Sequence, residues 1–176
     1  MPRAGIERIE GARLADFGTF RLGGACRALL DCHGADALVA AVEETRAADT
    51  PFVLIGGGSN LLISDHGYDG MVIRFASGPA PEPSGQLLEL CAGTALDDAA
   101  RIAAEAGLEG LTCCTGIPGT VGGAIVGNAG AWGRQIADRL VDVTVLTPDG
   151  RRQTIPSAEL DFGYRRSRFQ RAKRGK

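Results

Sequence analysis

Two glycine-rich segments and one arginine-rich stretch hold the residue types that can do chemistry in this chain of 176 residues. The first segment is IGGGSNLLIS (55–64). Gly56, Gly57 and Gly58 come directly after an apolar run, which frees backbone N–H groups to face an anion, and Ser59 and Asn60 add side-chain donors. A phosphate or pyrophosphate suits such a loop. The segment is not the dinucleotide fingerprint, because Leu61 stands where the third glycine belongs and a strand-like run comes next instead of a helix. A tight strand-to-strand turn has the same composition. The second segment is TGIPGTVGGAIVGNAGAWG (115–133), in which glycines recur at three or four residues. That spacing suits a small-residue helix face. Pro118 and a cost of roughly 1 kcal/mol per interior glycine favour instead a backbone wrapped closely round a flat ligand.

Other chemistries are excluded by what the composition lacks. A Walker-type phosphate loop needs a lysine directly after its glycines, yet the lysines are Lys173 and Lys176 alone. The five cysteines (Cys26, Cys32, Cys91, Cys113, Cys114) form no CxxC, and His33 and His66 stand far apart, so no metal site is expected. Reduced, mostly buried thiols are the expectation. The last twelve residues, RRSRFQRAKRGK, hold seven basic groups and no acid, in a chain of net charge −2. The body is therefore acidic and unsuited to nucleic acid, and the end reads as a solvated tail or as a chain cut short. No run of about 18 apolar residues marks a membrane span. The N-terminus, MPRAGIERIEGARLADFG, lacks the apolar centre of a signal peptide, so nothing in it marks a secreted chain.

The elements that must position these segments are short and mixed. CRALLDC (26–32) reads as a strand, succeeded by a helix over 35–48 that Thr50–Pro51 stops. Strands are expected at 52–55, 61–63 and 71–73, with the turn-rich SDHGYDG between the last two. SGPAPEPSGQ (77–86) reads as a loop between two lobes. A strand at 87–91, a helix over about 96–106 with Gly107 as its stop, and a hairpin of 140–146 with 151–155 complete the pattern. The face expected to be buried on the second helix is Leu96, Ala99, Ala100, Ala103 and Ala104.

With those residues in view, the chain resembles the UDP-N-acetylenolpyruvoylglucosamine reductase family, also called UDP-N-acetylmuramate dehydrogenase (MurB). The resemblance is carried by PFVLIGGGSNLLISDHGYDGMVIRF (51–75), GLTCCTGIPGTVGGAIVGNAGAWG (110–133) and FGYRRSRF (162–169), with TFRLGGACRALL (19–30) in support. The GGGSN loop is shared with other flavoproteins; the second block together with YRRS is more specific.

The resemblance implies an α+β chain, a two-lobed FAD-binding domain of the PCMH (vanillyl-alcohol-oxidase-like) type. Residues 1–80 and 81–169 would be the two lobes and 170–176 a basic tail. It implies a cytoplasmic flavoenzyme of peptidoglycan synthesis, in which NADPH reduces FAD and hydride then passes to UDP-N-acetylglucosamine enolpyruvate. Gly56, Gly57, Gly58, Ser59 and Asn60 match the loop that holds the FAD pyrophosphate. Thr115, Gly116, Pro118, Gly119, Gly122, Gly123 and Ala124 match the segment lining the flavin, which Asn128 continues. Covalent relatives carry a flavin-linked histidine where this chain has Asn60, so the FAD is expected to be non-covalent. Arg165 matches the catalytic arginine, and Tyr164 beside it is assigned to substrate. Hydride addition next to a carboxylate builds negative charge, which a fixed guanidinium stabilises.

The family's catalytic serine and late glutamate have no match in this chain, and its C-terminal substrate domain is expected to be absent. Two further readings stand beside this one: a flavin-binding module completed by a partner chain, and another oxidoreductase of the same FAD-binding fold.

Overall fold

The computed structural model describes residues 5–171. Its first half is a four-stranded sheet of β1 (Ile6–Glu10), β2 (Cys26–Cys32), β3 (Phe52–Ile55) and β4 (Tyr68–Arg74), ordered β1-β2-β4-β3. β1 lies antiparallel on β2, whereas β2 and β3 both run parallel to β4. A central parallel strand is covered on both faces and so carries a continuous apolar run. Met71, Val72 and Ile73 are that run, all buried. The β2–β3 crossover is α1 (Ala35–Ala47), which buries Ala37, Ala41, Val42 and Thr45 against one face of the sheet. β1, absent from the sequence-based pattern, covers the other flank of β2 with a mostly exposed strand.

β3 and β4 are adjacent and parallel, yet no helix joins them. Residues 56–67 must carry the chain back along the sheet, beginning with the three glycines. The strand expected at 61–63 does not form: β4 has β2 and β3 as its neighbours, and the outer edge of β3 is left unpaired among the described residues. Ile63 instead packs with Leu14, Leu29, Ile55 and Val72 on the second face of the sheet, while Leu61 and Leu62 stay exposed.

The second half is assembled from short pieces. Part of the loop expected at 77–86 pairs as β5 (Glu82–Ser84) with β6 (Leu87–Glu89). α2 (Leu96–Glu105) buries Leu96, Ala99, Ala100 and Ala103, with Ala104 exposed. Gly107, at φ +69°, ends it: the Leu108 N–H reaches Ala103 O at 2.8 Å, the left-handed closure that glycine favours. α3 (Val121–Gly127) forms in the middle of the second glycine segment, where an irregular wrap was expected. β7 (Asp142–Leu146) and β8 (Arg152–Pro156) form the expected hairpin. The described chain ends in α4 (Arg168–Arg171), so the expected tail from 170 starts inside a helical turn and residues 172–176 lie outside the described residues.

α3 exists despite the glycines in its sequence because neighbours take up its ends. Val121 and Gly122 donate to Thr94 O (2.9 Å) and Ala92 O (2.8 Å), and the Thr120 hydroxyl accepts from Gly123 N–H at the N-cap. Burial of Val121, Ala124 and Ile125 in one cluster with Leu96, Ala99 and Cys114 adds the rest. The two halves also touch directly. Cys91 and Leu146 pack on the α1-side core, Arg46 donates to Pro148 O at 2.9 Å, and Arg152 pairs with Asp36.

All five cysteines are free, four of them buried and Cys91 half-buried. Cys113 Sγ and Cys114 Sγ lie 3.8 Å apart, too far for a disulfide. Burial, reinforced by the Asp31 charge, pushes the Cys32 thiol up to about 11; burial and the neighbouring Cys113 push Cys114 up to about 12. Both thiols are therefore protonated in the folded chain at pH values where an unfolded thiol, near 9.0, ionises. The stabilisation this represents is complete below pH 9 and is lost as pH rises towards 11–12. Urea midpoints measured from pH 8 to 11.5 should fall steadily above pH 9. At pH 8, Ellman's reagent should modify Cys91 first and the other four only as the chain unfolds.

Candidate cofactor site

The two glycine segments, more than fifty residues apart in sequence, meet face to face. Ser59 Oγ donates to Pro118 O at 3.0 Å. A Cβ on Gly56 would collide with Thr120 Oγ1, and one on Gly119 (φ +129°) would stand 2.8 Å from Ser59 Oγ. Gly58 (φ +69°) is pressed against Phe17 O, and its own carbonyl accepts from Thr19 N–H. These three glycines are required by the protein itself. Gly57 is different: a Cβ there would meet Gly119 Cα at 3.8 Å and Thr120 Cγ2 at 3.9 Å, which is ordinary contact.

What the meeting leaves over is a set of donors. Among the described residues, the backbone N–H groups of 57–60 and of Gly119 and Thr120 donate to no protein acceptor. Gly58 and Thr120 are buried and Gly57, Ser59 and Gly119 half-buried. Backbone donors removed from bulk water need a partner, and clustered N–H groups make an anion-binding concavity. The N-terminus of α3 is not the donor, because Thr94 O, Ala92 O and the Thr120 hydroxyl already occupy its first amides. Of the other residues expected on the flavin, Thr115, Gly116, Pro118 and Gly123 are exposed, Gly122 is close enough to Ala92 that a Cβ on it would stand 3.0 Å from Ala92 Cβ, and Ala124 is buried. Gly116 N–H is taken by Asp97 Oδ1 at 2.8 Å.

The floor beneath the first loop is a charged pair at the C-terminal ends of the parallel strands. Arg74 Nη1 meets Asp31 Oδ2 at 2.5 Å, and its guanidinium lies 5.7 Å from the Phe17 ring centroid. Among the described residues, Asp31 Oδ1 and Arg74 Nε have no hydrogen-bond partner. The open edge of a parallel sheet at its strand C-termini is where ligands of such folds bind.

Arg165 stands at the other end of α3. A seven-residue helix is about 10 Å long, which sets the separation of the two regions along its axis. Gly163 and Arg166 close a tight turn with two 3.0 Å backbone hydrogen bonds, leaving Arg165 at φ +52° at its tip. Arg165 Nη2 donates to Gly130 O at 3.2 Å, and the guanidinium sits 6.0 Å from the Tyr164 ring centroid. Among the described residues no carboxylate pairs with Arg165. Tyr164 is 91% exposed and Trp132, on the Gly130 loop at φ +57°, is 94% exposed. Asn128, by contrast, is 2% exposed and is bonded on every side by protein.

Sequence reasoning did not single out Phe17, Thr120, Gln135 or Ser167, which hold these parts in place. Thr120 had a local signal, a threonine just ahead of an apolar helical stretch; the other three act only through tertiary contact.

An α+β fold with an amide-lined loop at the strand ends defines a nucleotide-cofactor-binding domain, and the family comparison specifies which. Residues 27–155 match the FAD binding domain family, and the chain belongs to that family. It is 46% identical over 160 residues to a protein of Synechococcus sp. (strain RCC307) named UDP-N-acetylenolpyruvoylglucosamine reductase, the match covering 89% of this chain and 52% of that one. The crystal structure of UDP-N-acetylenolpyruvylglucosamine reductase (MurB) from Thermus caldophilus superposes with a TM-score of 0.71 at 36% identity, over 92% of this chain and 56% of that one. A VAO-type flavoprotein from Myceliophthora thermophila C1 shares the fold, with a TM-score of 0.56 at 20% identity over 77% of this chain and 28% of that one. The resemblance and the fold class read from the sequence are thus borne out. The chain spans about half the length of the curated relatives it matches.

The residues present fit FAD. Its pyrophosphate would satisfy the unpartnered amides of 57–60, 119 and 120. Gly57→Ala should leave stability within about 1 kcal/mol while lowering FAD affinity at least tenfold, and Gly57→Val should abolish binding. Gly58→Ala, forced against Phe17 O at positive φ, should instead lower the melting temperature. Equilibrium dialysis with FAD beside thermal melts separates the two, and a Gly57→Val variant with stoichiometric FAD would refute the cradle.

Proposed function

We propose that this chain carries the FAD-binding part of a reductase that uses NADPH to convert UDP-N-acetylglucosamine enolpyruvate to UDP-N-acetylmuramate, in cytoplasmic peptidoglycan synthesis. The observation that carries the proposal is the pairing of an amide cradle at one end of α3 with an exposed arginine at the other, with which no carboxylate among the described residues pairs. The names of the relatives supply the substrate.

Bound FAD supplies hydride chemistry between the nicotinamide and the enolpyruvyl double bond. The protein's share is binding and charge. The 57–60 loop and Gly119–Thr120 hold the pyrophosphate; Thr115 to Ala124 shape the wall for the ring system. Asn60 offers a carboxamide, whose nitrogen lone pair is delocalised into the carbonyl and so makes no flavin bond as an imidazole would; acid precipitation should leave the flavin in the supernatant. Arg165 meets the substrate carboxylate and stabilises the negative charge that develops beside it. Tyr164, held next to that guanidinium, contacts the same ligand.

A second reading is a flavin-binding module whose catalysis needs a partner chain. One experiment addresses both. The visible spectrum of the FAD-loaded chain is recorded before and after anaerobic NADPH, and again after adding the enolpyruvyl substrate. Bleaching and then recovery supports the reductase. Bleaching without recovery supports the incomplete module, and no flavin band overturns both. Arg165→Ala should keep the flavin band and its bleaching but slow recovery by about 10²-fold or more.

A further inference from the structure

Asn128 is buried, yet its neighbours along the chain lead to the exposed residues of the site. It closes α3 in the left-handed region, at φ +46°. Its Nδ2 donates to Gln135 Oε1 at 2.8 Å and to Gly163 O at 2.9 Å, and its Oδ1 accepts from Ala137 N–H at 3.4 Å. Both amide hydrogens and one oxygen lone pair are thus spent inside the protein. Two acceptors on the nitrogen and a donor on the oxygen also fix the orientation of the carboxamide.

We propose that Asn128 is a positioning residue for Arg165, acting through Gly163 rather than on the cofactor. This rests on the reading of Arg165 as the group that meets the substrate carboxylate. Three hydrogen bonds tie the turn carrying Arg165 to the end of α3 and the loop beyond it. Gly163 O is held by Asn128, Ser167 Oγ donates to Val126 O at 2.7 Å, and Arg165 Nη2 reaches Gly130 O. Ser167 is fully buried, so the far side of the turn is anchored by packing as well. The near side, from Gly163 to the arginine, has the Asn128 carboxamide as its side-chain anchor. Gly130 lies two residues beyond Asn128, so both references for the guanidinium share one origin. A left-handed arginine at a turn tip is a conformation the surroundings must impose. A residue that sets the place of a charge without touching the ligand affects function steeply, because small misplacements of a charged group are costly.

The two roles of Asn128 can be separated. Asn128→Gly keeps the left-handed helix end, which glycine adopts freely, and removes the clamp. Asn128→Asp keeps the shape and Oδ1 but sets a carboxylate oxygen against Gly163 O, and serves if the glycine variant does not fold. The full chain loaded with FAD is measured as wild type, Asn128→Gly, Arg165→Ala and the double variant. Readouts are the flavin spectrum, the Arg165 Nε–Hε nuclear magnetic resonance signal, and the affinity for UDP-N-acetylglucosamine enolpyruvate from perturbation of flavin absorbance.

Asn128→Gly is expected to keep FAD, to shift the Arg165 signal to that of freely rotating arginines, and to weaken substrate binding about tenfold. The double variant should bind no worse than Arg165→Ala, because both changes remove one interaction. An unmoved Arg165 signal, additive losses in the double variant, or loss of FAD from Asn128→Gly would each overturn the proposal. If Arg165→Ala binds substrate as well as the wild type, the reading of Arg165 fails instead, and the resonance still decides whether Asn128 holds it.

Discussion

The structure depends on one backbone-to-backbone meeting, that of the β3–β4 crossover with the segment ahead of α3. No side chain fits between Gly56 and Thr120 or between Gly119 and Ser59, so the contact is built from main chain and two small hydroxyl residues. Main chain packed this closely cannot satisfy all its own hydrogen bonds, and the donors left over are what make the place a binding site. The same meeting joins the sheet half to the helical half and fixes where α3 begins. Structural need and ligand need are therefore mixed along one short loop: Gly56 and Gly58 are held by protein neighbours, while Gly57 between them has room to spare.

From that meeting, α3 carries the site outward. Its N-terminal amides are consumed by Ala92 and Thr94, its C-terminal carbonyls by Ser167 and the segment after Asn128. With both ends bonded to other elements, the helix needs little intrinsic propensity, and glycines that would break an isolated helix are tolerated. Tertiary hydrogen bonds and the burial of Val121, Ala124 and Ile125 substitute for what the local sequence lacks.

That substitution also marks the limit of what sequence could show. α1 and α2 were legible because their buried stripes recur at helical spacing, and β2 and β4 because they are continuous apolar runs. The glycine loops were legible as loops of close approach. α3 was not, since its own residues argue against a helix and only its partners argue for one. The run at 61–63 has strand composition, but Ile63 packs onto a face of the sheet, a tertiary contact that the local sequence does not announce. β1 has its two isoleucines three residues apart among charged residues and offers too weak a period-two signal. In the site, the family motif located Arg165 and Tyr164, but the burial of Asn128 and its bond to Gly163 exist only once residues 35 positions apart are folded together.

The short rigid helix between the amide cradle and the arginine turn has a consequence for how such a chain can change over time. Each residue added to a helix advances it by about 1.5 Å and rotates the chain beyond it by about 100°. Point changes within α3 would alter packing locally, whereas a one-residue insertion or deletion would swing Asn128, Gly130 and the arginine turn out of line with the cradle. Length, more than chemical identity, is what drift in this segment could not alter, and new ligand preferences would have to arise in the loops on either side of it.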